Sequence, residues 1–489
     1  MLQYLFSIKR LVTNKNDPHD LIRITSADDI KKQINQKFKD VKSIKICLKD
    51  FIFLLICFLL SFTSLHEGYE KINANILATD EWQNDNKFGH LAKSKIIYGL
   101  FVSSFYISQG ISSFLVNLFV YKTYNKMDKQ KLINLIIFSS LLFNYAGSGM
   151  CVGSKFWVVF ILGKILQGFS VGINAVLVPV YIKFFVVDES TQYLAGIGTN
   201  LCSMNSKNGT MTGYIILYCC KKWYKNTNKV WIYPNISPFV FSSVVAIGLA
   251  LFNFYYLPYL YLEEKTVKEL ESNEKKTDDV SDKKNYDIFF TGKRKTVISG
   301  LLIVAFYSLN SLNYFLCYNN KEFTHIEAGD YDFSGLIYAT IYTVGGNLSS
   351  AIPYSLFSKD HNKSIFFVYR NTLKYISFLC SLIFVVIITV GYAKKEETEK
   401  SDNKYLKTVF AVGNLAVFLQ TTFLEVSLSY VMPHLKILND IDLFQLLTYT
   451  DKLSDMVILL ITPLLNQNIG FLMCIIFAVS SMLLALTPV

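Results

Sequence analysis

Apolar residues are gathered into twelve runs of about 20 residues or more, separated by polar or charged breaks. A helix needs about 20 apolar residues to cross the hydrocarbon core of a bilayer, so each run predicts a membrane-spanning helix. The predicted helices occupy residues 49–69, 94–121, 131–150, 155–184, 191–218, 234–258, 295–318, 333–357, 365–393, 404–432, 443–465 and 468–487.

The longest charged connection divides these helices six plus six. Residues 263–294 contain clusters of Glu, Asp and Lys with almost no apolar residues. We therefore expect four regions, which are a basic N-terminal segment (1–48), a six-helix bundle (49–262), a charged cytoplasmic linker (263–294) and a second six-helix bundle (295–489). Two six-helix halves arranged as parallel repeats are typical of secondary transporters, which bind their solute between the halves.

Composition excludes a soluble multidomain protein. Hydrophobic residues make up 52% of the chain and charged residues only 17%, with a mean hydropathy of +0.33. The net charge of +11 does not indicate nucleic-acid binding, because the basic residues lie between apolar runs instead of forming one patch. Lys and Arg are more numerous in the segments that would be cytoplasmic if the N-terminus is inside. Both termini are therefore expected in the cytoplasm, and the plasma membrane is the expected location.

The fourth run contains the most specific motif. Gly163 and Lys164 begin the stretch GKILQGFSVG, and Pro179 and Tyr181 follow it. Gly168 and Gly172, four residues apart, share one helix face and allow a neighbouring backbone to approach closely. The stretch resembles the fourth helix of sugar porters in the major facilitator superfamily, which reads Gly-Arg-x-Leu-x-Gly-x-Gly-x-Gly and then Pro-x-Tyr. The resemblance implies an all-α membrane protein with twelve transmembrane helices in two six-helix bundles.

Further fragments match this family in the expected order. They are Gly68-Tyr69-Glu70 at the end of helix one, residues 125–131 in the loop after helix two, residues 311–318 in helix seven, Asn347 in helix eight, and residues 358–363 as a second basic loop. Other family elements are replaced. Tyr307 and Ser308 stand where the family has paired glutamines, and Asp451 and Asp455 stand where it has an asparagine pair in helix eleven.

Two charged residues at matching positions suggest proton coupling. In proton-coupled sugar porters a carboxylate in helix one and an arginine in helix four interact, and protonation of the acid releases the pair. Glu70 and Lys164 keep these charges. Charges inside a spanning segment are rare and mark functional sites by default. The alternative interpretation places Glu70 in the outer loop and Lys164 at the membrane interface, where its ammonium reaches water.

Amide, phenol and carboxylate side chains are the candidates for solute binding. An amide both donates and accepts hydrogen bonds, which matches a sugar hydroxyl. The resemblance implies solute contacts from six residues: Asn200, Asn313, Asn347, Asp451, Asp455 and Tyr318. Hydrogen bonding between helices is the alternative role of the asparagines. Asp451 and Asp455, four residues apart on one face, would also suit a cationic solute. The alternative is that helix eleven begins later, which would leave Asp451 and Lys452 near a membrane interface.

Basic residues in the cytoplasmic loops are candidates for gating. In the family these loops clamp the inner ends of the two halves. The matching residues are Lys126, Lys129, Lys131, Lys359 and Lys363. Basic loops also fix the orientation of the helices in the membrane, whether or not they gate.

Motifs for enzyme chemistry are lacking in the sequence. It contains no phosphate-binding loop, no His-Glu-x-x-His and no Gly-x-Ser-x-Gly. We therefore expect no enzyme activity, no cofactor and no bound metal. The expected function is alternating-access transport of a small solute, first of all a hexose, either proton-coupled or facilitative. Two alternatives remain open, which are a transporter for another solute, such as a cationic one, and a non-transporting nutrient sensor on the same fold.

Overall fold

A computed structural model describes a helical protein over part of its length. The described residues are 51–76, 91, 95–121, 126–183, 189–223, 232–256, 294–309, 337, 339–348, 363–395, 404–425, 427–428, 450–458 and 474–487. Contacts divide the chain into two units, Met1–Leu54 and Leu55–Val489. The structure describes only residues 51–54 of the smaller unit, and they are helical.

Among the described residues, six helices of 15 or more residues lie within 55–256, which we call the first half. They are α1 (Phe62–Ile76), α2 (Lys95–Tyr121), α3 (Lys126–Gly153), α4 (Trp157–Lys183), α5 (Glu189–Trp223) and α6 (Ile232–Leu251). Within this half α2 and α3 pack against α4, and α1 packs against α5 and α6.

Residues 294–487, the second half, contribute a further set of helices. They are α7 (Arg294–Ser308), α8 (residues 339–348), α9 (Lys363–Lys395), α10 (Lys404–Leu419), α11 (residues 450–458) and α12 (Cys474–Leu486). Within this half α9 packs against α10 and α12. Each of the twelve predicted ranges thus contains or overlaps a helix. The division at residues 262 and 295 stays a prediction, because 257–293 lie outside the described residues.

Length and hydropathy identify the spanning helices. Six spans in the described residues are long and apolar enough to cross a membrane, namely Phe51–Asn73, Ile97–Val116, Ile133–Gly153, Trp157–Ile182, Ile232–Phe254 and Val368–Val390. Large apolar side chains such as Leu135 (61% exposed) and Ile247 (56% exposed) point away from the protein. Such faces suit lipid and not water, so the chain is an integral membrane protein.

Glycines allow α4 to approach its neighbours closely. A Cβ on Gly168 would collide with the carbonyl group of Phe105 on α2, and one on Gly172 would collide with that of Gln109. Glycine at spacing four is how helices pack in a bilayer, where no hydrophobic force drives them together. The packing role predicted for Gly168 and Gly172 is therefore confirmed.

Helix ends differ from the predicted ones where polar residues continue a helix. α1 extends to Ile76, past the predicted end at residue 69, so Glu70 is helical and not part of a loop. α3 begins at Lys126, within the segment predicted as a loop. Lys, Met and Gln are good helix formers, and a helix can continue beyond the apolar stretch that crosses the membrane.

A π-helical turn interrupts α10 just before a charged residue. Residues Gln420–Leu424 form this turn, and the helix continues to Glu425, which we count with α10 from here on. A π turn adds a residue to the helix and so rotates the positions that follow it, and such turns are frequent at functional sites. Glu425 belongs to the charged cluster described next.

Candidate functional site

Helix α1 places three charged side chains in the protein interior. Glu67, Glu70 and Lys71 are 5%, 3% and 5% exposed. Glu67 and Lys71 are four residues apart and share one face, while Glu70 lies about 100° around the helix from Lys71. Because the side chains point in two directions, Glu67 and Lys71 have one set of partners and Glu70 has another.

Glu70 pairs with Lys164 inside the first half. Lys164 Nζ lies 2.5 Å from Glu70 Oε1, and both side chains are almost fully buried. Asn73 Nδ2 donates a hydrogen bond of 3.0 Å to Glu70 Oε2, so both carboxylate oxygens have partners. The ammonium of Lys164 also lies 5.6 Å from the ring centroid of Phe160. The ion pair expected from the resemblance is present, whereas its role in proton coupling stays a prediction.

Glu67 makes an ion pair with the second half. Its carboxylate contacts the ammonium of Lys452 on α11. Lys452 Nζ also lies 3.2 Å from Asp451 Oδ2. Ser308 Oγ on α7 donates a 2.5 Å hydrogen bond to Asp451 Oδ1. Lys452 therefore pairs with two carboxylates, one from each half of the chain.

Lys71 and Asp455 extend this cluster. Asp455 lies one turn after Asp451 and is 4% exposed. Lys71 interacts electrostatically with Asp455, Glu67 and Lys452. Its ammonium also lies 5.9 Å from the ring centroid of Tyr342 on α8. Asp451 and Asp455 thus face a set of lysines and not an empty apolar surface.

A second ion pair joins the halves through α5 and α10. The ammonium of Lys207 contacts the carboxylate of Glu425. A Cβ on Gly346 of α8 would overlap the aliphatic stem of Lys207, so the glycine gives that side chain its path. Thr343 Oγ1 on α8 donates a 3.0 Å hydrogen bond to the carbonyl of Lys207. Lys207 also interacts electrostatically with Lys71 and Asp451, which makes the two ion pairs parts of one charged cluster.

Asn347 links α8 to α5. Its Nδ2 donates a 3.0 Å hydrogen bond to Asn208 Oδ1. Its Oδ1 is buried and has no hydrogen-bond partner among the described residues. Asn347 therefore uses one end of its amide for interhelical bonding, and the other end still has a lone pair to offer a solute.

Several predicted site residues have no described side chain. Asn200 lies in α5, Lys126, Lys129 and Lys131 lie in the first turns of α3, and Lys363 begins α9. For the three lysines of α3 this corrects their placement in a loop. Asn313, Tyr318 and Lys359 lie outside the described residues. Solute binding and gating by all these residues stay predictions.

Sequence reasoning missed three residues of the cluster. Lys71 was passed over because helix one was predicted to end at residue 69, whereas Glu67 lies inside that predicted helix, where its charge is itself a signal of a functional residue. Lys207 lies inside the fifth apolar run, where an isolated charge is itself the signal of a functional residue. Within the described residues no group of three or more His, Cys, Asp or Glu could hold a metal ion.

Burying charged side chains in such a site costs free energy. Ion pairs taken out of water lose hydration, and their attraction offsets this cost only with good geometry and further hydrogen bonds. Glu67–Lys452 and Lys207–Glu425 both lie where the two halves meet. Because each pair has one partner in each half, a movement that separates the halves must break them. The two ion pairs can therefore stabilise one conformation, and their charged groups can pair with other residues in another conformation.

Comparisons with known proteins agree with this architecture. The sequence profile described as "Sugar (and other) transporter" matches residues 56–487. Hexose transporter HXT14 of Saccharomyces cerevisiae is 22% identical over 367 residues, which are 66% of this chain and 63% of that protein. The match thus spans less than two thirds of the yeast protein.

Solved structures share the fold at low identity. A D-xylose-proton symporter has a TM-score of 0.56 and 13% identity, over 89% of this chain and 95% of that chain. The xylose transporter XylE from E. coli, in a partially occluded inward-open conformation, has a TM-score of 0.58 and 12% identity, over 89% of this chain and 98% of that chain. The POT family transporter PepTSo has a TM-score of 0.55 and 12% identity, over 89% of this chain and 96% of that chain. At these identities the likeness shows the fold alone, which is the twelve-helix fold of the major facilitator superfamily.

Proposed function

We propose, from the premise that this chain belongs to the sugar transporter family whose profile covers residues 56–487, that it carries a sugar across a membrane by alternating access. A hexose is the first candidate. The observation that carries the proposal is the buried charged cluster where the two halves meet, because its ion pairs Glu67–Lys452 and Lys207–Glu425 each join one half to the other.

Alternating access gives these ion pairs a mechanical role. In this fold the halves rock about a central site and expose it to one side of the membrane at a time. A pair that crosses between halves stabilises the conformation in which it is formed and is lost in the one in which its partners separate. The two pairs would therefore set the balance between the conformations of the carrier.

Solute contacts would come from polar groups beside the cluster. Asn347 Oδ1 is an acceptor without a protein partner among the described residues, and Asn208 lies next to it. Asp451 and Asp455 would accept hydrogen bonds from hydroxyl groups. Asn200, Asn313 and Tyr318 belong to this proposal through the family resemblance alone.

Proton coupling would reside in the Glu70–Lys164 pair, and facilitative transport remains the alternative. Burial of both side chains in the first half isolates the pair from water. A proton bound to Glu70 would remove the negative charge that holds Lys164 and so release it. Release would let α1 and α4 shift relative to each other, which ties proton binding to the rocking movement.

Location and gating complete the proposal. We place both termini in the cytoplasm and the protein in the plasma membrane, on the distribution of Lys and Arg. The lysines at 126, 129, 131, 359 and 363 would lie at the cytoplasmic side and clamp the inner ends of the halves. Tags at either terminus, tested for antibody access in intact and permeabilised cells, would check the orientation.

Uptake into proteoliposomes tests the function directly. The purified full chain would be reconstituted, and uptake of radiolabelled hexose measured with and without an inward proton gradient. We expect uptake above that of protein-free liposomes, retained in Lys155→Ala, whose side chain is exposed, and strongly reduced in Lys452→Ala. A transporter of another solute or a non-transporting sensor would show no hexose uptake under any gradient, and that result would overturn the proposal.

A further inference from the structure

The interior of the first half contains a column of buried polar side chains. Hydrogen bonds join helices along this column at three levels, which are Asn73 with Asn235 (3.5 Å), Gln167 with Ser148 (3.1 Å) and Ser140 with Asn174 (3.0 Å). The Glu70–Lys164 pair and His66 lie between the first and the last of these levels. Ionisable groups inside a spanning segment mark ion pathways and proton relays, so the histidine is a functional candidate beside the ion pair.

His66 lies on α1 and is only 1% exposed. It precedes Glu70 by four residues, so the two side chains share one helix face. On α3, Asn144 Nδ2 donates a 3.2 Å hydrogen bond to the carbonyl of Pro238, contacts the hydroxyl of Ser242 and lies 3.3 Å from His66 Nδ1. Because an amide nitrogen only donates, His66 Nδ1 accepts, and the neutral ring carries its hydrogen on Nε2.

A cavity lies beside this histidine, where α1, α3, α4 and α6 meet. Its polar lining consists of Thr63, His66, Asn144, Ser170, Asn174 and Ser242. His66 Nε2 and Asn144 Oδ1 are buried, and neither has a hydrogen-bond partner in the described part of the chain. One atom is a donor and the other an acceptor, so a single water molecule satisfies both. The cavity has room for about one water molecule.

Water suits this cavity better than a cation or an apolar group. The lining contains no carboxylate, and the ammonium of Lys164 interacts electrostatically with His66, so a cation would be repelled. An apolar occupant would leave His66 Nε2 and Asn144 Oδ1 buried without partners, which is costly in a low-dielectric interior.

We propose that His66 is a second proton-carrying residue of this transporter, which takes the proton from Glu70 and passes it to a water molecule in this cavity. The inference rests on the proposed proton coupling at Glu70 and adds a residue to it. Residues four apart on a helix have Cβ atoms about 6 Å apart, a gap that one water molecule or a change of side-chain rotamer closes. The proton leaves the Glu70 carboxyl, resides on the imidazole and leaves through Nε2, so no other reactant is consumed.

The transfer gives the ion pair a way to re-form. With the proton on Glu70, Lys164 carries an uncompensated charge and is released. With the proton on His66, Glu70 is a carboxylate again and pairs with Lys164. The net charge of the three groups is the same in both states, so the step moves a proton without adding charge to the interior.

Few charged groups compete with this transfer. In the described part of the chain, the titratable groups that face His66 are Lys164 from α4 and Glu70 on its own helix. The other helices packed against the ring present neutral side chains, namely Phe105 from α2 (ring centroids 5.8 Å apart), Asn144 from α3 and Phe241 from α6 (6.3 Å).

Transport assays separate proton transfer from solute movement. The full chain would be reconstituted in proteoliposomes. Uptake of radiolabelled hexose driven by an inward proton gradient requires the carrier to release a proton in each cycle, whereas exchange of labelled for unlabelled hexose at equal pH does not. His66→Gln keeps a hydrogen-bonding side chain but cannot carry a proton between pH 5 and 8. We expect gradient-driven uptake to fall about tenfold or more while exchange is retained.

Two further variants test the ring and the water separately. His66→Asn should show the same selective loss, and it replaces His66→Gln if that variant cannot be purified. Ser170→Val fills the cavity with apolar atoms and leaves His66 in place, so gradient-driven uptake should again fall while exchange continues. Lys155→Ala, whose side chain is exposed, should change neither rate.

The outcomes separate this inference from the proposed function. Gradient-driven uptake in either His66 variant equal to that of the parent would overturn the inference, and so would an unchanged Ser170→Val. A parallel loss of uptake and exchange in both His66 variants would assign His66 a structural role and also overturn it. Hexose uptake in the parent that ignores the gradient would leave the sugar carrier intact and remove the inference. No hexose uptake at all would contradict both.

Discussion

Lys207 of α5 and Glu425 of α10 form an ion pair that joins the two halves of the molecule. The pair exists because of two local features of the second half. Gly346 of α8 leaves the path that the stem of Lys207 follows, and a π-helical turn immediately precedes Glu425 on α10. The contact is therefore built by three helices, and its loss should have measurable consequences.

Removal of one partner of this pair should destabilise the protein. Lys207→Met would leave the carboxylate of Glu425 buried without compensation, which costs about 3 kcal/mol in the free energy of unfolding. Glu425→Gln should be costly for the same reason. The double variant removes both charges, so we expect it to lose less than the sum of the single losses by about 1 kcal/mol or more. Thermal unfolding in one detergent gives all four values.

An exposed lysine supplies the control for this cycle. Lys155 lies on the surface of the described structure, and Lys155→Met should change stability by less than about 0.5 kcal/mol. Additive losses in the double variant would mean that Lys207 and Glu425 do not interact in the folded protein.

Gly346→Ala should act through Lys207. A methyl group at this position would overlap the lysine stem, so the side chain would have to move away from Glu425. We expect a loss of about 1–3 kcal/mol, as for other overpacked sites. In a Lys207→Ala background the same substitution should cost much less, because the obstructing stem is gone. A cost that is equal in both backgrounds would assign the effect to α8 alone.

The helix positions could be predicted because the bilayer fixes both the length and the composition of a spanning helix. The helix ends could not. Beyond the hydrocarbon core the helix continues on local propensity, which is why α1 includes Glu70 and Lys71 and α3 begins at Lys126. Hydropathy alone does not predict whether polar residues that follow an apolar run are still helical.

The candidate site was predictable in part. Glu70 and Lys164 could be recognised because each lies in a motif of the resembling family. Lys207 carries a signal of its own, an isolated charge within an apolar run, although its partner lies in the other half of the chain. Pairings such as Glu67 with Lys452 depend on how the halves pack, and no local pattern encodes that contact.

Gly168→Ala should test the close approach of α4 to α2. The added methyl group would meet the backbone carbonyl of Phe105, which cannot move without shifting the helix. We expect a loss of about 1–3 kcal/mol in thermal unfolding. Gly149→Ala is the matched control, since nothing lies within 4 Å of a Cβ there and alanine favours a helix. Equal effects of the two substitutions would contradict the packing role of Gly168.

Glu70→Gln should uncouple transport from the proton gradient. Glutamine keeps an oxygen that accepts a hydrogen bond from Lys164, but it cannot gain or lose a proton between pH 5 and 8. We expect the parent to take up more solute when the external pH falls, and Glu70→Gln to show no such rise while solute exchange across the membrane continues. Asn73→Ala removes the neighbouring donor to Glu70 Oε2, together with a 3.5 Å hydrogen bond to Asn235 Oδ1, and should retain the proton dependence. Uptake and exchange would be measured in the same proteoliposomes. A proton dependence in Glu70→Gln equal to that of the parent would remove Glu70 from the coupling mechanism.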